Sequence, residues 1–297
     1  MPTLRFGTSS WSEKSWVGPF YPAGTKPAAM LPFYAQHFDT VEVDSTYYRS
    51  PSWDMLRRWH DVTPPGFVLA SKMPTECFLG SDDPRQLDPE QVLCGDHQRL
   101  GSVISAHLAG ITQLKAKAGP VVIQLPWMHR DTFAGREAFL RRLDEYLGYL
   151  PRDVRIAVEV RNREYLHDEL LDVLRKHGAA LVLSEVRGMP HPADVADQLN
   201  VLTTGWFYAR LIGDRSKVER LTKDRPPAER FGSVVLDQSA SLGRWAHLVR
   251  TLASSADGFV YANNHYAGYG VETIRQLRAL VEAAQDPPQP PTTDPQG

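Results

Sequence analysis

The sequence predicts an α/β chain folded as a single TIM-like (β/α)8 barrel with a reduced helix after strand six. Three observations predict it. Eight short apolar runs are spaced along almost the whole chain: Leu4 to Thr8, Thr40 to Asp44, Phe67 to Lys72, Pro120 to Leu125, Arg155 to Val160, Ala179 to Ser184, Gly205 to Leu211 and Gly258 to Asn263. Segments of helical periodicity lie between most of them, so strand and helix alternate along the chain. Each run ends in a small or charged residue, and a barrel of this kind does its chemistry at the carboxyl ends of its strands.

Strand one leads into Ser9, Ser10 and Trp11 and then an aromatic cluster, Trp16, Phe20 and Tyr21, of which Trp16 and Phe20 are expected to pack in the core. A helix over Pro27 to Phe38 opens on a proline suited to a first helical position. In TVEVD at 40 to 44, period-two alternation sends Val41 and Val43 toward the helices and Glu42 and Asp44 toward the barrel axis. A helix over Pro51 to His60 follows, then strand three, which ends on Lys72. Met73 to His97 is long enough to be a lid or binding loop.

Helical spacing continues over Gln98 to Lys117 and Arg136 to Leu147, on either side of strand four and its Gln124. RIAVEVR at 155 to 161 repeats the alternation and aims Glu159 and Arg161 inward. Glu164 to His177 carries Leu166, Leu170, Leu171 and Leu174 at helical spacing and stops at Gly178, a left-handed cap. Glu185 to Thr204 has a weak pattern broken by Pro190 and Pro192, hence the reduced sixth helix. Leu242 to Leu252 and Val271 to Ala284 complete the helices.

The 297 residues fit one barrel domain over 1–285, and Asp286 to Gly297 is a proline-rich polar tail expected to stay disordered outside it. Hydrophobic residues make up 42% and charged residues 23%, a globular composition. The formal charge of -2 shows no global footprint of a sequence-independent nucleic-acid binder. Cys77 and Cys94 are too few for a disulfide framework or a cysteine-only zinc site. With no signal-like start and no run long enough to span a bilayer, the chain is expected to be soluble, cytoplasmic and without a membrane partner.

The strand ends converge on a polar pocket suited to a small anionic or hydroxylated ligand. Glu42, Glu159, Lys72 and His265 are the catalytic candidates: the two carboxylates as acid and base, the lysine to hold or polarise an anion, the imidazole to orient it. Ser9, Trp11, Asp44, Tyr47, Gln124, Arg161, Arg210, Asn263 and Asn264 are the candidate binding residues. The competing reading is that such charges only pair with one another, because buried charges need partners whether or not they react. Glu42, Asp44 and Glu159 leave a single oxygen-bound magnesium or manganese open, but only His265 ends a strand, so no metal site is assigned. No cofactor can be identified.

NNHYAGYG at 263 to 270 places glycines 268 and 270 where backbone can approach a ligand, as in the phosphate sites built after strands seven and eight. After strand seven, Arg210, Arg215, Lys217, Arg220, Lys223, Arg225 and Arg230 alternate with Asp214, Glu219, Asp224 and Glu229. Mixed signs at helical intervals read first as a solvated face laced with ion pairs, and second as a phosphate-contacting arm.

Several stretches resemble the YecE-like proteins, domain of unknown function family 72. They are GTSSWSEKSWVGPFYPAGTKP at 7 to 27, FDTVEVDSTYYRSPS at 38 to 52, GFVLASKMP at 66 to 74, VVIQLPW at 121 to 127, AVEVRN at 157 to 162 and YANNHYAGYG at 261 to 270. The resemblance spans nearly the whole chain in order and implies a TIM-like barrel without a settled activity. The leading expectation is therefore an enzyme, a hydrolase, lyase or isomerase, acting on a small anionic or sugar-like substrate by acid–base chemistry at the barrel mouth. The alternatives are a nucleic-acid-binding or phosphodiester-cleaving protein, by fold analogy with endonuclease IV-type barrels, and a non-catalytic ligand-binding protein.

Overall fold

The computed structural model describes residues 2–81, 89–93 and 97–283, the side chains of 97–100 excepted. Eight strands, β1 (Leu4–Thr8), β2 (Thr40–Val43), β3 (Val68–Lys72), β4 (Ala118–Gln124), β5 (Ile156–Glu159), β6 (Ala180–Val186), β7 (Trp206–Gly213) and β8 (Asp257–Ala262), form one sheet. All paired neighbours are parallel, in the order β1-β8-β7-β6-β5-β4-β3-β2, with helices between strands. This is the expected TIM-type barrel.

Alternation along the strands builds two separate apolar layers. Val68, Ala70, Val122, Ala157, Ala180, Val182, Trp206, Tyr208, Phe259 and Tyr261 fill the barrel interior. The outward residues of the same strands, Val41, Val43, Leu69, Val121, Val158 and Val260 among them, join the helices in a larger cluster. Burying a side chain of this size contributes about 1.5–3 kcal/mol, so the helix layer and the interior stack both hold the strands.

The ring has two weak seams. β5 and β6 share two residue pairs, Ala157 with Ala180 and Val158 with Leu181. β1 and β2 share no ladder: an isolated bridge joins Ser9 to Glu42, and the Ser10 amide donates to the Glu42 carbonyl at 2.8 Å. Below it the Tyr34 hydroxyl accepts from the Thr8 amide at 2.7 Å and donates to the Thr40 carbonyl at 3.2 Å, standing in for ladder bonds. The strands pass so closely here that a Cβ on Gly7 would sit 2.0 Å from the Thr40 oxygen.

Several sequence expectations are corrected. The described part of Met73 to His97 is no open lid: Cys77, Phe78, Leu79, Val92 and Leu93 are buried. The Leu93 amide donates to the Phe78 carbonyl, and Tyr146 donates to that of Cys77. Residues 82–88, 94–96 and the proline-rich tail lie outside the described residues. The helix expected from Glu164 begins at Asp168, because the buried Tyr165 stacks on Phe139 at 4.1 Å in a preceding single turn. The sixth helix is reduced as expected, to Pro192–Ala196, and β6 runs on to Val186. Among the described residues no helix is long and apolar enough to cross a membrane.

Candidate active site

The carboxyl ends of β2, β3, β4, β5 and β7 carry Glu42, Lys72, Gln124, Glu159 and Arg210, all on the inward face and all buried. Arg210 is the centre of the group. One terminal nitrogen, Nη2, donates to Glu42 Oε1 at 2.9 Å; the other, Nη1, donates to Gln124 Oε1 at 2.8 Å and makes a short ion pair with Glu159 Oε2. Its Nε lies 2.9 Å from Glu42 Oε2. Glu42 also accepts from Tyr208 at 2.8 Å and from Ser9 at 2.9 Å, and Glu159 accepts from Arg161 Nε at 2.9 Å.

Electrostatics follow from the packing. Burial alone would raise the Glu159 carboxyl, but Arg210, Arg161 and Lys72 outweigh it and hold the group below its ordinary value. Burial opposes the charge on Arg210 too, yet Glu159, Glu42 and Asp44 together raise its pKa. Burial pushes the Tyr208 hydroxyl well up, and Glu42 beside it adds to the rise. The cation that the carboxylates surround is thus Arg210.

Above this floor opens a cavity of about 380 Å³ at the barrel mouth. Asp44, Tyr47, Lys72, Gln124, Arg161, Arg210, Asn263 and His265 line it, so eight of the sequence-predicted site residues meet at one place. Lys72 Nζ lies 2.5 Å from Asp44 Oδ1, 3.9 Å from Glu42 Oε1 and over the Tyr47 ring. Asp44, with its side chain 34% exposed, reaches the cavity directly. Burial would raise its carboxyl, but Lys72 and Arg210 bring it below the ordinary value. The Tyr47 hydroxyl is pushed up to about 12 by burial and stays protonated.

His265 is fixed by Asn263, whose Oδ1 accepts from the His265 amide at 3.0 Å and lies 2.9 Å from the ring Nδ1. An oxygen on that side requires the proton on Nδ1 and leaves the lone pair on Nε2. Burial and the neighbouring Arg215 lower the imidazole below its usual value against the pull of Glu219, 3.8 Å from Nε2, and of Asp44 and Glu13, so it is neutral at pH 7.

The other predicted residues stand apart from the cavity. Glu42, Glu159 and Ser9 lie beneath it as supports. Trp11 meets Trp59 edge to face at 5.6 Å, in a groove on the outside of the barrel with Lys26 and Arg58. Asn264 Oδ1 accepts from the Trp16 indole at 3.2 Å and the Gly270 amide at 2.9 Å, tying two loops together. Gly268, at φ +101°, gives close approach to Ser233 and Val235 rather than to the cavity.

Sequence reasoning missed Tyr208 and the outer rim. Tyr208 stands two residues before Arg210 and so shares its face, a signal present in the alternation of FYAR at 207 to 210. Arg187, Asp214, Arg215 and Ser216 complete the cavity wall, on the far side from Tyr48. In the sequence Arg215 reads first as one charge in a mixed run and second as part of a phosphate-contacting arm. Arg187 becomes legible only when β6 is known to continue past Ser184.

The chain is thus a TIM-type barrel whose mouth pocket, lined by paired charges, stands over a buried ion-pair network. The profile of the family described as "Protein of unknown function DUF72" matches residues 5–296, and the chain belongs to that family. The UPF0759 protein YecE of Escherichia coli K12 is 27% identical over 162 residues, which is 54% of this chain and 50% of that protein. The chain thus matches about half the length of that curated relative. Among solved structures, a DUF72 family protein from Thermotoga maritima superposes with a TM-score of 0.67 at 22% identity, covering 94% of this chain and 99% of the other. One from Enterococcus faecalis gives 0.67 at 17% identity, covering 98% and 100%. These likenesses establish the fold.

Proposed function

We propose that this barrel is an enzyme that binds a small anionic substrate at its mouth and moves a proton with His265 while Lys72 steadies the negative charge that forms. The observation that carries the reading is the cavity lining. Among the described residues Lys72, Arg161, Arg187, Arg210 and Arg215 line it with Asp44 and Asp214; Glu42 and Glu159 beneath match Arg210, while Arg161, Arg187 and Arg215 are each held through Nε alone and keep their terminal guanidinium nitrogens for an anion. Such a wall favours an anion, and it sits where barrels of this type place their chemistry.

Roles follow from protonation. Asp44 and Glu159 are held ionised, which makes them weak proton acceptors and suits them to orienting the cations. His265 is neutral with its lone pair on Nε2 and is, among the described residues, the one cavity side chain whose ordinary value, 6.5, lies near neutrality. The Lys72 ammonium and the Tyr47 hydroxyl supply donors for a developing oxyanion.

The test is an NMR turnover screen over phosphorylated and carboxylated small molecules with wild type, His265→Gln and Lys72→Met. Conversion by wild type should fall by about 100-fold or more in each variant. The wild-type rate should drop as pH falls through a value below 6.5, where the imidazole charges. Conversion unchanged in both variants overturns the reading. Saturable binding without conversion at any pH makes the protein a ligand-binding barrel, and salt-sensitive DNA or RNA binding without small-molecule turnover makes it a nucleic-acid protein.

A further inference from the structure

The cavity has two chemically different ends, and we infer that its ligand is a phosphate monoester on a hydroxylated carbon chain, a sugar phosphate in class. This rests on the proposed small-anion reading and names the substrate that the same pocket takes. At the β2–β4 end, Asp44, Tyr47 and Gln124 offer carboxylate, phenol and amide around the Lys72 ammonium, which lies 2.5 Å from Asp44. Mixed donors and acceptors of that kind match hydroxyl groups, which both give and take hydrogen bonds. Tyr48 adds an exposed ring on the same side, a face against which the C–H side of a sugar can lie.

At the β6–β7 end the wall is made of exposed guanidinium groups. Arg187 and Arg215 line the wall with side chains 70% and 74% exposed, and Arg161 stands at the end of β5 with only its Nε bonded to Glu159 among the described residues. Asp214, the carboxylate on this side, is already occupied: Oδ1 accepts from the Lys217 amide at 3.1 Å and Oδ2 lies 3.9 Å from Arg187. Arg215 also pairs with Glu219 at 2.7 Å, a contact at an exposed position that a phosphate dianion can displace.

The backbone favours the same group. Gly213, at φ +76°, is pressed onto the β8 loop, where a Cβ would meet Tyr266 Cα at 2.6 Å. The chain therefore turns sharply and starts the helix Arg215–Thr222 at the cavity wall, with Ser216 lining it. The first amides of a helix have no intrahelical acceptor and prefer an anion; Asp214 already accepts from that of Lys217, so those of Arg215 and Ser216 are the ones a ligand can meet. Carboxylates would use one face of such a wall; a phosphate dianion, with three terminal oxygens, can meet Arg187, Arg215 and the Ser216 hydroxyl together.

The experiment is calorimetric titration at low salt with inorganic phosphate, glucose 6-phosphate, glucose and glucuronate. Phosphate and glucose 6-phosphate should bind and compete, the sugar phosphate more tightly, with glucose and glucuronate at least about tenfold weaker. The double variant Arg187→Ala/Arg215→Ala should weaken both phosphates about tenfold or more, and its melting temperature should match wild type because both side chains are exposed. Lys72→Met should weaken glucose 6-phosphate and leave inorganic phosphate within about threefold. The assignment is overturned if phosphate does not bind, if the double variant binds it unchanged, or if glucuronate binds as tightly as glucose 6-phosphate. Phosphate binding as expected with no turnover of any sugar phosphate sinks the catalytic reading alone.

Discussion

Two buried titratable side chains show how surroundings of different kinds set the window of a pH effect. Glu159 has cations around it and a carboxyl held below its ordinary value of 4.5. Its contribution to stability is complete above that value and is lost as pH falls toward the depressed folded pKa. His107 reaches the same sign by another cause: burial lowers its imidazole from 6.5 to about 4, Ser50 Oγ lies 3.0 Å from Nδ1, and Nε2 has no partner among the described residues. The folded state resists the proton that the unfolded chain accepts, so stability falls as pH drops from 6.5 toward 4. Between pH 7 and pH 5 this single group should remove about 2 kcal/mol. Urea unfolding of wild type and His107→Leu checks it: the wild type should lose that amount over the interval and the variant should lose markedly less. Equal slopes would show that His107 is charged in the fold or that another group dominates.

Among the elements, the helix Trp53–Val62 depends on a distant lysine. Its last turn leaves carbonyls without helical partners, and Lys117, just before β4, donates to the His60 and Thr63 carbonyls at 2.5 Å each and approaches Thr63 Oγ1 at 3.1 Å. Lys117→Met keeps the stem packed and removes the ammonium, so it should cost about 1–3 kcal/mol in chemical denaturation. A loss below about 0.5 kcal/mol would show that water replaces the ammonium. This link had no sequence signal, because 54 residues separate Lys117 from Thr63. The strands were legible for the contrary reason: alternation in TVEV and IAVE is local, and the same two-residue period that buries the valines outward aims Glu42 and Glu159 inward. Alternation says nothing about depth along the axis. It therefore put Glu42 and Glu159 in the same class as Asp44, although Arg210 closes over the first two and leaves Asp44 in the cavity. Trp11 and Asn264 follow their strands in sequence, but the loops carry them away from the mouth.

Across the whole molecule, the buried network sits where the ring is weakest. The seams at β1/β2 and β5/β6 divide the barrel into β2–β5 and β6–β7–β8–β1. Glu42 and Glu159 belong to β2 and β5, the two edge strands of the first half, while Arg210 and Tyr208 belong to β7 within the second. Each arm of the Arg210 guanidinium therefore reaches across the interior to one seam. Ser9, from β1, adds a bond to Glu42 at the seam itself. Arg210→Met leaves Glu42 with Lys72 at 3.9 Å and, among the described residues, Glu159 with Arg161 alone, removes the central cation from both, and should cost about 3 kcal/mol. Replacing the three charges together by Arg210→Met, Glu42→Leu and Glu159→Leu should recover most of that loss, since an apolar filling of similar volume avoids the desolvation cost. Hydrogen exchange then separates cohesion from bulk stability. In Arg210→Met the amides of Ser10 and Val121, which bond to the Glu42 and Arg155 carbonyls, report on strands next to a seam and inside a half respectively. The Ser10 amide should gain exchange rate by a larger factor than that of Val121, because its one bond spans the β1/β2 gap while the other lies within a continuous ladder. Equal acceleration at both positions would mean that Arg210 stabilises the barrel uniformly and does not pin its halves together.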